Sequence, residues 1–186
     1  MLPSTPIANA LVDLIQRYQA LYLQENAKPS MVDVEEDWLS PCLPEGAEEG
    51  EQVSWQPHVR ANDDQFAELE SAVGVDLHPD GKAYWNSLFS AGIYIQTEIG
   101  AVELLQPWNN DDYVRFLQNL TGHLLTQQRF KLEPSIFIGV SLNSEHVVSV
   151  ADDGSVVVEL PGRKPNQQLA PNLAEFLQQA TPVILD

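Results

Sequence analysis

Carboxylates are the residues best placed to act in this chain, and their spacing favours attraction over reaction. Eight Asp and Glu lie between Asp33 and Glu51 with no Lys or Arg among them. Glu98, Glu103, Asp111 and Asp112 fall at the ends of expected elements, where acids can converge on one rim of the sheet, and Glu70 joins them on acid placement alone. Trp108 stands just ahead of Asp111 and Asp112, and an indole beside acids suits an Arg or Lys side chain by cation–π attraction. These six residues are the candidate partner-binding set. The same abundance weakens any catalytic reading. With 27 carboxylates in the chain, two at the spacing of a general acid and base carry no signal.

Other chemistry is sparse. His58, His78, His123 and His146 sit on different elements with no paired cysteines, so no zinc site is expected. His123, mid-helix beside Gly122, reads as a packed or hydrogen-bonded histidine. Asp152-Asp153-Gly154 lacks the spaced acids and closing Glu of a calcium loop and reads as a hairpin turn. Cys42, between Pro41 and Leu43, has no neighbouring cation or histidine to activate it, which makes it a small buried hydrophobe. There is no Gly-x-Ser-x-Gly elbow and no glycine-rich phosphate cradle. The expectation is a protein with no catalytic residue, no cofactor and no metal.

Charge then selects the partner. Nine Lys and Arg against 27 acids give a formal charge of −18 over 186 residues. Such a surface repels phosphate backbones and anionic lipid and attracts basic proteins, so nucleic acid and direct lipid insertion are excluded as modes of action. Two small cationic groups, Arg129 with Lys131 and Arg163 with Lys164, interrupt the acid. The first pair closes a helix, where cations complement the dipole, or else contacts a ligand. A single cysteine fits a reducing cytoplasm, the start of the chain lacks the pattern of a signal peptide, and no stretch is apolar enough to span a bilayer.

The elements that must hold these residues follow from periodicity. Ile7, Leu11, Leu14, Ile15, Tyr18 and Tyr22 predict a helix over about 6–25. Residues 29–51 read as an acidic loop excursion, most ordered near Trp38 and Ser40-Pro41-Cys42. A short strand at Val53–Trp55 stops at Pro57. Asn62-Asp63-Asp64 caps a second helix with Phe66, Leu69, Ala72 and Val73 inward, and Pro79 opens a short third one through Trp85. A hairpin follows, with Ile93–Glu98 and Ala101–Leu105 flanking Ile99-Gly100. Asn109 and its neighbours cap the main helix, striped by Tyr113, Leu117, Leu120 and Leu124. Strands at 135–142, 147–150 and 156–158 and a last helix with Leu173, Phe176 and Leu177 complete the chain. Trp55 and Trp85 belong to the core and Trp108 is partly exposed. The fold class is α+β: one domain over 1–186, with a mostly antiparallel or mixed sheet of about five or six strands and helices packed on it.

The run from Asn119 through Gly122-His123-Leu124 and Arg129-Phe130-Lys131 to Pro134 resembles the Syd family, the SecY-interacting proteins. Ser40-Pro41-Cys42, Trp55-Gln56-Pro57, Leu105-Gln106 with Trp108, Asp111-Asp112, and Asn172 to Leu177 are similar to that family in order and spacing. The resemblance implies a monomeric domain of the SUKH superfamily, without catalysis or cofactor, that binds the cytoplasmic face of SecY through an electronegative groove. It implies a regulator or monitor of SecY assembly in protein translocation, held peripherally at the inner membrane. Cytoplasmic loops of membrane proteins are rich in Lys and Arg, so an acidic groove suits them. A second reading, from another class, is an acidic immunity or inhibitor module that blocks a basic soluble protein.

Overall fold

The computed structural model describes residues 5–60 and 64–185. The first helix, α1 (Pro6–Asn26), starts because Thr5 Oγ1 accepts the Ala8 N–H and Pro6 presets the first turn. It buries Ile7, Leu11, Leu14, Ile15 and Tyr18, and Tyr22 on the same face is half-buried. Arg17, near its middle, donates to the carbonyls of Leu177 (3.0 Å) and Ala180 (2.7 Å), fastening α1 to the end of the last helix.

The acidic stretch is mostly irregular, and its base is tied by a short strand pair. Strand β1 (Met31–Asp33) pairs antiparallel with β2 (Gln52–Ser54), and a 3-10 turn (Glu36–Trp38) lies between them. The Val34 N–H reaches Glu51 O at 2.8 Å and the Gly50 N–H reaches Val34 O at 2.9 Å. Val34 and Cys42, both buried, anchor this flap. Its strands span three residues each, too few to leave an alternation in the sequence.

Short β3 (His58–Val59) pairs with β4 (Leu88–Phe89) and brackets two helices, α2 (Phe66–Val73) and α3 (Pro79–Ser87). Of the expected α2 cap, Asn62 and Asp63 lie outside the described residues, while Asp64 Oδ1 accepts the Phe66 N–H at 3.0 Å. Phe66 and Leu69 are buried and Val73 half-buried, but Ala72 is exposed. Only a narrow stripe of α2 is covered, and Ala72 falls beside it.

The principal sheet has seven strands, more than the five or six expected. Its order is β10-β9-β8-β7-β6-β5-β11, and every neighbouring pair is antiparallel. The strands are β5 (Ile93–Thr97), β6 (Gly100–Leu104), β7 (Ser135–Ser141), β8 (Val147–Ala151), β9 (Val156–Glu159), β10 (Gln167–Ala170) and β11 (Thr181–Pro182). The unexpected pair, β10 and β11, forms the two edges; one is polar and the other is two residues ending in proline, so neither has a strand pattern. The β5–β6 turn is Glu98-Ile99, one residue earlier than expected, and Gly100 (φ 100) takes the left-handed conformation that opens β6. Ile93, Ile95, Val102 and Leu104 are fully buried on one face of this hairpin. The sheet curls: Gln167 of edge strand β10 donates to Glu98 at the β5–β6 turn at 2.7 Å.

Helix α4 (Asn110–Arg129) spans about 30 Å at 1.5 Å per residue. Asn109 Oδ1 caps it by accepting the Asp112 N–H at 2.9 Å, Asp111 and Asp112 occupy its first turn, and Arg129 its last. Tyr113, Phe116, Leu120 and Leu124 are buried, and Leu117 packs partly against the core. Trp85 stacks on Phe116 with ring centroids 3.5 Å apart. The last helix, α5 (Leu173–Gln179), buries Leu173, Phe176 and Leu177, and Asn172 caps it. Trp55 and Trp85 are core residues, 2% and 3% exposed.

Candidate functional site

The flap, the end of β6 and the start of α4 enclose one recess of about 380 Å³. Val32, Asp33, Glu35 and Trp38 come from the flap, and Glu103, Leu105 and Gln106 from β6 and the chain after it. Trp108 and Asp112 come from the approach to α4 and its first turn, and Ser90 to Gly92 complete the lining. Four carboxylates and two indoles thus converge, and no Lys, Arg or His is among the lining residues.

Specific bonds hold the flap where it forms this wall. Trp108 Nε1 donates to the Trp38 carbonyl at 3.1 Å, Asn109 Nδ2 donates to Leu39 O at 2.9 Å, and the Ser40 hydroxyl donates to Trp108 O. Asp112 Oδ2 accepts the Trp108 backbone N–H at 2.9 Å, so its carboxylate holds the main chain at Trp108 while also lining the recess. The Arg115 guanidinium on α4 lies 4.3 Å from the centre of the Trp38 ring.

Glu103 is the most unusual member. It sits directly opposite Tyr94 across β5 and β6, on the face away from buried Val102 and Leu104. A Cβ at Gly92 would come within 2.6 Å of Glu103 Oε1, so the glycine leaves the room that the carboxylate occupies. Burial pushes the Glu103 carboxyl above its ordinary value. Tyr18 nearby is pushed up to about 12, first by burial and then by Tyr94, Tyr22 and Glu103. No described residue gives Glu103 a hydrogen bond or an ion pair.

Of the candidates from the sequence, Glu103, Trp108 and Asp112 line this recess together. Asp111 lines an adjoining one with Glu36 and Asp37, on the other side of the 3-10 turn. Glu70 stands apart on α2, where it accepts from the Leu77 N–H and from Lys82 Nζ at 2.9 Å as a local brace. Glu98 also stands apart, at the β5–β6 turn. Asp33, Glu35 and Trp38 belong to the recess without having been singled out as individuals. The density of acid over 33–51 signals them, but only the β1–β2 pairing says which ones face inward. Gln106 appears in the sequence only within the Leu105-Gln106 similarity to the family, which gives it no role.

A larger recess of about 610 Å³ lies at the other end of the sheet. It gathers the cations Lys131, Arg163 and Lys164, but Glu133, Asp152 and Asp153 line it as well, so its charge is mixed. Beneath it, buried Ser135 donates to Glu159 and accepts from Gln127, and His123 Nε2 lies 3.0 Å from Ser135 Oγ and 3.5 Å from Glu159 Oε1. This Ser, His and Glu do not form a hydrolytic triad. The serine gives its proton to the carboxylate and is only 4% exposed, so it is no accessible nucleophile. His123 is therefore the packed, hydrogen-bonded residue that its position suggested. Among the described residues no cluster of His, Cys, Asp and Glu could hold a metal, and no helix is long and apolar enough to cross a membrane.

The model of the family described as Syd protein (SUKH-2) matches residues 8–182 of the chain. A protein named Syd from Pseudoalteromonas atlantica is 32% identical over 98% of this chain and the whole of its own length. Another from Alteromonas mediterranea is 36% identical over 79% of this chain and 82% of its own. One from Aliivibrio fischeri is 34% identical over 96% and 97%. The chain belongs to the Syd family.

Proposed function

We propose that this Syd family member binds basic cytoplasmic loops of SecY in the acidic recess between the flap and β6, and so regulates or monitors SecY assembly. The observation that carries the reading is the convergence of Asp33, Glu35, Glu103 and Asp112 with Trp38 and Trp108 around one hollow with no cation in its lining. Isolated carboxylates would only solubilise the surface; gathered in a hollow they focus potential on whatever enters it. Cytoplasmic loops carry excess Lys and Arg, so such a hollow fits them, while the rest of the −18 surface keeps the body off anionic headgroups. On this reading the protein acts as a monomer, without catalysis, peripherally at the inner membrane.

Capture of SecY from detergent extracts tests it, with Asp33, Glu35 and Glu103 reversed to Lys in one variant. Asp112 is spared because it holds the Trp108 N–H. The wild type retains SecY at low salt and releases it as salt rises towards about 0.5 M, where screening extends only a few ångströms, and the variant retains none. Capture of a soluble basic toxin in place of SecY would favour the immunity-type reading. Equal recovery by the variant would move the binding site elsewhere.

A further inference from the structure

The longest run without Asp or Glu, from Tyr113 to Leu132, forms nearly all of α4 and the turn that closes it. A second acid-free run, from Leu160 to Ala174, carries the turn between β9 and β10. The fold brings the two together. A Cβ at Gly162 would lie 3.2 Å from the Phe130 ring and 3.3 Å from Thr126 Cγ2, so that turn packs against the end of α4. Four of the nine cations gather there: Arg129, Lys131, Arg163 and Lys164. All four are exposed, and none forms an ion pair with a described residue. Phe130 and Leu125, 56% and 52% exposed, accompany them. Folding does not demand this lack of acid. Glu is a good helix former, yet exposed positions of α4 such as Gln118 and Asn119 carry none.

We propose that the outer face of α4, with the Gly162-Arg163-Lys164 turn, is a docking surface for an acidic segment of another protein. Its cations have no internal carboxylate to give up, so a partner's Asp and Glu meet them without breaking a pair. Exposed Phe and Arg together match the composition that sets interfaces apart from ordinary surface. The recess of about 610 Å³, with Lys131, Arg163 and Lys164 in its lining, adjoins this face and leaves room for side chains. The occupant is narrow, because acids bound the strip: Asp111 at the start of α4, and Glu133, Asp152 and Asp153 along the recess. A flat anionic bilayer or a nucleic-acid duplex would press against those acids, whereas a single chain lies between them. Asp112 and Arg129 are about 26 Å apart along α4 at 1.5 Å per residue, so this surface is separate from the acidic recess. The inference goes beyond the SecY reading and does not depend on it.

The test measures fluorescence anisotropy of a labelled, capped peptide of Glu and Asp with two Phe, against the same peptide with Gln and Asn in place of its acids. The full chain is compared with Arg163→Gln/Lys164→Gln and, separately, with Arg129→Gln. The substituted residues are exposed, so both variants keep a Tm near that of the wild type. At low salt the wild type binds the acidic peptide and favours it over the uncharged one. The double variant weakens that binding by about tenfold, as loss of two charge contacts does, and Arg129→Gln weakens it less. Equal binding of the two peptides by the wild type, or undiminished binding by the double variant, overturns the proposal. Tighter binding of phosphatidylglycerol vesicles or single-stranded RNA than of the acidic peptide, lost in the double variant, overturns the choice of a protein segment. SecY capture by the double variant stays at the wild-type level; its loss would overturn the separation of the two faces.

Discussion

The guanidinium carbon of Arg115 rests 4.3 Å from the centre of the Trp38 indole, joining the main helix to the acidic flap. Arg115 thereby spends its charge within the molecule, at the margin of a recess whose own lining holds no cation. The contact is worth about 0.5–1 kcal/mol at an exposed site. It adds to the Trp108 and Asn109 bonds that hold the same turn. Arg115→Gln should therefore loosen the flap without unfolding the domain. Amides of Val34 and Trp38 should exchange faster with solvent, while those of β7 and β8 stay protected. Unchanged exchange over 33–40 would show that the backbone bonds alone suffice.

Glu103 carries a cost that the proposed binding role explains. Burial holds its carboxyl above the ordinary value, so between the unfolded and folded values the native state binds more protons than the unfolded one. Stability therefore falls as pH rises through that window, and the penalty is fully present above it. Glu103→Gln removes the penalty, so at neutral pH its Tm should exceed that of the wild type while SecY retention drops. The excess should shrink towards low pH. A variant no more stable than wild type at neutral pH would mean that something already compensates the carboxylate.

Much of the fold was legible because long elements repeat their signals. Helix α4 displays its cap, its apolar stripe and its terminal charges over twenty residues, and Ile93 to Leu104 alternates through a complete hairpin. Edge strands β10 and β11 were not legible, because a partner strand rather than their own residues makes them strands. The site divided in the same way. Glu103 and Asp112 follow from their places at element ends. Glu98 had an equally good place in sequence, but the curl of the sheet brings it to Gln167. Glu70 was taken by Lys82, twelve residues on, a pairing that helical spacing does not reach.

Adjacent aspartates should separate cleanly. Asp112 accepts the Trp108 N–H and sits in the first turn of α4, whereas Asp111 is exposed and only lines the neighbouring recess. Asp112→Ala should cost about 1 kcal/mol in urea unfolding, as loss of a helix-start carboxylate does. It should also change the environment of Trp108, visible as a shift in tryptophan fluorescence. Asp111→Ala should leave both nearly untouched. Equal effects at the two positions would refute the assignment of Asp112 as the residue that holds the chain at Trp108.

The buried cluster at the far end of the sheet makes the opposite pH prediction. Burial of Glu159 works to raise its carboxyl, but His123 3.5 Å away and the Ser135 hydroxyl that donates to it outweigh that, leaving the group below its ordinary value. Between the folded and unfolded values the unfolded chain binds more protons, so stability rises with pH across that window. The contribution is complete above the ordinary glutamate range and is lost as pH falls through the folded value. Glu159→Gln should flatten the acid limb of the stability profile measured by urea unfolding. At neutral pH it should also be destabilising, since the carboxylate accepts a hydrogen bond from the buried Ser135 hydroxyl and losing a hydrogen bond to a charged group costs about 1.5–3 kcal/mol. Glu103→Gln provides the internal contrast, with the opposite sign at neutral pH. Capture of SecY by a folded Glu159→Gln protein should stay intact, because Glu159 lines the other recess. An acid limb as steep as that of the wild type would show that other carboxylates govern acid unfolding and that Glu159 is held by packing rather than by its charge.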